Sequence, residues 1–162
     1  MSLIIGKAGI PMLKVGYPTV SDKYNVAGGI LAGSNAVKFG DLVKYSATAG
    51  YYEAITSAVT LADIAGFVLA TNVKLDEAFG GDDVKVNPNE AFNLVLPGSY
   101  LAIELDDAAV MTDIKAAKQV YVIPATGKCT TVSTSNLALT GVCFTGIAEK
   151  HGDKIVAEVL VK

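Results

Sequence analysis

One histidine, His151, two cysteines, Cys129 and Cys143, and an acidic run of Asp76, Glu77, Asp82, Asp83 and Glu90 are the groups in this chain whose types suit chemistry. A lone imidazole near neutral pH is a natural proton carrier. His151, however, precedes Gly152 and Asp153 and reads as an exposed turn residue. A Ser-His-Asp arrangement would have to use it, and no Gly-x-Ser-x-Gly elbow accompanies it. Cys129, Cys143 and His151 lack the paired Cys-x-x-Cys spacing of a tetrahedral zinc site. The two thiols sit on opposite sides of a turn-rich stretch and could face each other; the simpler reading is two small buried hydrophobes in a protein folded in a reducing cytosol. The acidic run offers oxygens of the kind Ca²⁺ takes, but without the Asp-x-[Asp/Asn]-x-[Asp/Asn]-Gly spacing of a calcium loop. It reads as a solvated loop. Gly28-Gly29-Ile30-Leu31-Ala32-Gly33-Ser34 mimics the glycines of a phosphate loop, yet Ser34 stands where the lysine belongs. It reads as a flexible bend. Paired carboxylates for glycoside cleavage are a matter of three-dimensional separation. The chain has no Trp to build a sugar platform, and its seven Tyr fall mostly at strand positions. The expectation is no catalytic residue, no metal ligand set and no cofactor.

The elements that would position these groups are written twice. Lys38-Phe39-Gly40-Asp41-Leu42-Val43-Lys44-Tyr45 leads through Gly50-Tyr51 to Gly66-Phe67-Val68-Leu69-Ala70. Lys115-Ala116-Ala117-Lys118-Gln119-Val120-Tyr121-Val122 leads through Gly127-Lys128 to Gly141-Val142-Cys143-Phe144. Lys38 and Lys115, and Gly50 and Gly127, are 77 residues apart, while Gly66 and Gly141 are 75 apart. Each copy reads strand, Gly turn, strand, short polar stretch, Gly, apolar strand. A repeated β-unit that is poor in reactive groups points to a scaffold. The copies span 36–71 and 113–148.

Along the chain, residues 1–35 hold Pro11, Pro18 and six Gly. These break every apolar run, and the segment reads as an extended N-terminal arm ahead of a single β-domain over 36–162. Thr60-Leu61-Ala62-Asp63 suits one helical turn. Residues 72–91 form an acidic, turn-rich excursion around a short strand, Val84-Lys85-Val86. Phe92, Leu94 and Leu96 share one face of a strand, and Leu101, Ile103 and Leu105 one face of the next. Pro97-Gly98 between them suits a type II turn, which predicts a hairpin. Asp106 and Asp107 could cap a short helix through Ile114; the Gly-rich stretch before the first copy argues for a loop. Ile155, Ala157, Val159 and Val161 alternate with polar residues as a half-buried strand. Short strands with Gly and Pro turns predict an all-β fold, a compact sandwich or small barrel.

Bulk composition narrows the partners. At 162 residues the chain fits one domain; 51% of it is apolar and 18% charged. A charge fraction below the ~25% of an average soluble domain favours apolar surface held against partners. The net charge is −3, and all 13 basic residues are Lys. Without arginine forks or a basic run, nucleic-acid recognition is not expected. The start lacks a leader pattern, and no apolar run approaches the ~20 residues of a membrane helix. No membrane partner is expected.

Three stretches resemble tailed-phage structural cement proteins, also called capsid decoration proteins. Ala36-Val37-Lys38-Phe39-Gly40-Asp41-Leu42-Val43 is similar to their opening strand. Phe92-Asn93-Leu94-Val95-Leu96-Pro97-Gly98-Ser99-Tyr100 is similar to their central Pro-Gly-Ser-aromatic connection, and Gln119-Val120-Tyr121-Val122 through Thr126-Gly127-Lys128 to their second unit. The matching order covers roughly residues 36 to 162. The resemblance implies a non-enzymatic virion protein, folded in the host cytoplasm, that binds the outside of the capsid shell. It implies the major capsid protein as partner, self-association as a trimer, and clamping of neighbouring coat subunits.

Two segments are the expected contact surfaces: the arm, through Ile10, Leu13, Val15, Tyr17, Val20 and Tyr24, and the excursion, through Leu75, Phe79, Asp82 and Asp83. Rival readings are a fibre or adhesion β-module that binds a glycan or surface partner, and a jelly-roll enzyme, for which one His is a poor endowment.

Overall fold

In the computed structural model of the chain, residues 13–20, 23–70 and 85–162 are described. The protein is all-β. Twelve strands run β1 (Asn25–Ala32), β2 (Val37–Lys38), β3 (Leu42–Tyr45), β4 (Tyr51–Ala54), β5 (Ile64–Leu69), β6 (Lys85–Val86), β7 (Ala91–Leu96), β8 (Ser99–Glu104), β9 (Gln119–Val122), β10 (Cys129–Thr130), β11 (Leu137–His151) and β12 (Lys154–Val161). Strands β1-β4-β3-β5-β7 close a barrel, β10-β9-β11-β12-β8 form a five-stranded sheet, and β2 and β6 a small ribbon. No helix of the described residues is long and apolar enough to cross a membrane.

One strand order occurs twice in the fold. The barrel order β4-β3-β5-β7 recurs in the sheet as β10-β9-β11-β12. In the barrel, β1 pairs antiparallel with β7 and parallel with β4, closing the ring. In the sheet, β8 pairs antiparallel with β12, and the next residue, Leu105, makes one parallel bridge to Cys129 of β10. Each unit therefore has the same five-strand plan, one closed and one nearly so. Both copies of the repeat glycine sit where the register slips. Gly66 lies at the slip between β3 and β5, and Gly141 within the slip between β9 and β11. Both have positive φ, 153° and 78°, which favours glycine.

Side-chain alternation builds two cores from the same strands. Leu31, Val43, Val68, Phe92 and Leu94 pack inside the barrel, with Val37, Phe39 and Val86 of the ribbon stretch. On the other face, Leu42, Phe67, Leu69 and Val95 pack against Leu101, Ile103, Val120, Val122 and Val159 of the second unit. Strands β3, β5 and β7 are thus covered on both faces, and the two units share one core.

Several sequence expectations change here. Asn25–Ala32, assigned to the arm and, around Gly28-Gly29, to a bend, is a barrel strand. Close packing accounts for one of its two glycines: a Cβ at Gly29 would lie 2.6 Å from the Tyr52 ring, which stands edge-on to Phe92 at 5.6 Å. The 92–105 hairpin is not one. Pro97-Gly98 does turn, with Gly98 at φ 93°, but β7 and β8 enter different sheets because each finds a longer ladder elsewhere. Ser99 fixes this crossing: its Oγ accepts the Asn25 N–H at 2.8 Å and lies 2.7 Å from the Leu96 carbonyl. The stretch after Asp106 is a turn followed by a 3-10 piece at Met111–Asp113, while Leu61–Asp63 forms the expected single turn.

Candidate interaction surfaces

The stretch from Leu13 to Thr19 lies along the outer edge of β8 as a strap. Gly16 N–H donates to the Ala102 carbonyl (2.8 Å), Ala102 N–H to Tyr17 (3.2 Å) and Thr19 N–H to Tyr100 (3.2 Å). Gly16, at φ 78°, approaches so closely that a Cβ there would sit 2.1 Å from that of Phe39. Leu13 is buried on Ala102 and Val156 with Val15 beside it, and its N–H donates to Glu149 Oε1 at 2.6 Å. The same oxygen lies 2.7 Å from His151 Nε2. His151 is therefore half-buried and held at the end of β11, not an exposed turn residue. Tyr17 stands edge-on to Phe39 at 6.5 Å under the Lys14 ammonium, 4.4 Å from its ring centre, and burial pushes its phenol up.

These placements redistribute the expected contact residues. Leu13 is turned into the protein's own core, and Val15 and Tyr17 are half-buried. Val20 is half-buried and Tyr24 is 45% exposed. Ile10, Leu75, Phe79, Asp82 and Asp83 lie outside the described residues.

Two clefts were not anticipated. The first, of about 350 Å³, opens between barrel and sheet. Phe67, Val95 and Val142 line it together with both repeat glycines, Gly66 and Gly141, and Lys162 is its one charged lining residue. Tyr45, 57% exposed, and the exposed Leu61 and Leu96 stand on its lining. A cleft lined mostly by apolar residue types and bordered by exposed large side chains suits a protein contact. The signal was in the sequence: a bulge bends a strand and re-aims its side chains, and the same glycine recurs in both units.

The second cleft, of about 360 Å³, gathers Lys38, Lys85, Lys128, Asp41 and Glu104 with Cys129 among its walls. Asp41 keeps solvent contact but is surrounded mostly by protein. That desolvation pushes its carboxyl up, against the Lys38 N–H bond at 2.9 Å and the Lys128 and Lys38 charges. Burial, helped by the Asp41 charge, pushes the Cys129 thiol far up, so it stays protonated and inert. Cys129 and Cys143 are free and buried. Among the described residues no three of His, Cys, Asp or Glu gather as for a metal ion. The β2–β6 pairing sets Lys38 beside Lys85, Asp41 lies three residues beyond Lys38, and the bridge from Leu105 to Cys129 joins the end of β8, next to Glu104, to β10, next to Lys128.

No protein-family model matches the chain, and no curated protein does. Among solved structures, a chain in the capsid of Myoviridae phage XM1 is similar with a TM-score of 0.66, at 17% identity, over 94% of this chain and 93% of that chain. The likeness is one of fold.

Proposed function

We propose that this protein is a non-enzymatic structural component of a phage virion, a cement protein on the outside of the capsid shell that clamps neighbouring coat subunits. The observation that carries the reading is the fold likeness to a chain of a phage capsid structure, which spans nearly the whole of both chains. Two independent features support it: the low charge of the sequence, and exposed apolar side chains around a cleft between the units. The partners are the major capsid protein and further copies of the chain, with a trimer as the assembled form. Repeated weak footprints on a lattice act together through avidity. Copies that bind the assembled shell and not loose subunits stabilise the shell by mass action.

Binding tests this directly. Purified protein mixed with expanded phage shells stripped of accessory proteins should pellet with them and raise their disruption temperature. Protein left in the supernatant at every concentration would overturn the proposal. A positive glycan array in that case would favour the adhesion reading.

A further inference from the structure

The two units treat the same strand edge differently. By pairing register, Val26 and Gly28 of β1 correspond to Tyr100 and Ala102 of β8: Val26 faces Val95 as Tyr100 faces Leu160, and Gly28 faces Asn93 as Ala102 faces Glu158. In β8 these two residues turn their backbone groups outward, and the strap together with Lys23 meets all four. Tyr100 and Ala102 N–H donate to the Lys23 and Tyr17 carbonyls, and their carbonyls accept from Thr19 and Gly16. In β1 the neighbour on that side is β4, which reaches only Ile30–Ala32. Val26 and Gly28 lie beyond it. Among the described residues neither makes a turn or loop bond, and both are exposed.

Exposed edges are templates for pairing, and proteins commonly blunt them with charge, Pro or a cover. Asn25–Ala32 has no charged residue and no Pro. A Cβ at Gly28 would meet nothing within 4 Å, so its flank is open to an approaching strand. Tyr24, Val26 and Tyr51 are exposed large side chains nearby.

The geometry points to a second copy of this chain as the occupant of this edge, with Val26–Gly28 of one chain pairing antiparallel with the same residues of the other about a two-fold axis near Ala27. Self-pairing favours this occupant. Each edge offers two N–H and two C=O groups in the order that the other requires, Val26 stands opposite a glycine, and no charge opposes contact. The contact is isologous, so it doubles whatever assembly carries it, one chain to a pair or one trimer to a pair of trimers.

The test is sedimentation equilibrium of the full chain at rising concentration, with hydrogen exchange at the Val26 and Gly28 amides. The expected result is a mass that doubles with concentration and amides that become protected as it does. Gly28→Pro removes an N–H that points away from β7, so it blocks the edge while sparing the β1–β7 ladder. It should weaken doubling at least about tenfold. Val26→Lys, which keeps every backbone group and adds an edge charge, should do the same and stands in if the proline variant fails to fold. A mass that never doubles, doubling equally strong in a folded variant, or amides that exchange alike at all concentrations would overturn the inference.

Discussion

Gly50 and Gly127 occupy the same turn of the two units, at φ 79° and 71°, but only Gly127 is pressed against another residue. A Cβ at Gly127 would lie 2.8 Å from Ile55 Cδ1 and 2.9 Å from Ile55 Cβ, whereas one at Gly50 would meet nothing within 4 Å. The turn of the second unit is thus seated on the buried Ile55 of the first. The duplicated units are not beads on a string, because one unit's turn is shaped by the other's core.

The pair gives a controlled comparison. Gly50→Ala should cost about 1–2 kcal/mol, the strain of a left-handed non-glycine residue. Gly127→Ala should cost clearly more, because the Ile55 Cβ near the backbone must also move. In Gly127→Ala combined with Ile55→Ala, the loss should be smaller than the sum of the single losses. Urea unfolding of the wild type, the three single variants and the double variant checks this, and equal losses for Gly50→Ala and Gly127→Ala would remove the contact from the account.

Gln119 closes the wide slip of the second unit. Between Tyr121 and Gln119 on β9, β11 advances from Ala138 to Cys143. The Gln119 amide spans the gap, donating to the carbonyls of Leu139 at 2.8 Å and Val142 at 3.3 Å. In the first unit, where Ile64 and Gly66 stand against Lys44 and Val43, Leu42 holds the position 77 residues earlier. Gln119→Leu should destabilise by about 1–3 kcal/mol because those carbonyls lose their donor. An unchanged denaturant midpoint would contradict the role.

Ser99 locks the crossing between the units. It is buried, accepts from Asn25 N–H at 2.8 Å and lies 2.7 Å from the Leu96 carbonyl, while Asn25 Nδ2 donates to the Pro97 carbonyl at 2.8 Å. Ser99→Ala should cost about 1–3 kcal/mol, from the stranded Asn25 N–H. Thermal unfolding and faster hydrogen exchange at Asn25 check it.

Acid should unfold the protein partly through Asp63. Its carboxylate accepts Thr60 N–H at 2.7 Å and the Thr60 hydroxyl at 2.8 Å, and these bonds hold it below the usual carboxylate range. As pH falls, the unfolded chain takes up this proton first, so the contribution is present above the ordinary carboxylate pKa and fades as pH drops through the folded value. The stability curves of wild type and Asp63→Asn should converge as pH falls below the ordinary carboxylate range and through the lowered folded value. A gap that persists at the acid end would contradict this.

The alternation of Phe92 and Leu94, and of Leu101 and Ile103, was legible because burial on one face imposes period two. The glycine pairs were legible because a turn or bulge needs positive φ wherever it recurs. What Pro97-Gly98 joins was not: a tight turn is local, but whether its flanking strands pair depends on ladders tens of residues away. For the same reason Gly28-Gly29 suggests a bend in sequence, whereas Gly29 makes room for Tyr52, a neighbour distant in sequence. Leu13 and Val15, expected as contact residues of the arm, pack with Ala102 and Val156, because an apolar residue type does not show in sequence which surface it will cover. The lysine and carboxylate cleft depends wholly on long-range pairing.

The most direct measurement of the central claim is a cryo-electron microscopy map of expanded phage shells with and without added protein. The account predicts extra density on the outer surface, at symmetry-related positions bridging adjacent coat subunits, into which both units of this chain fit as one body. Shells that look the same with and without the protein, or density confined to the inner surface, would contradict it.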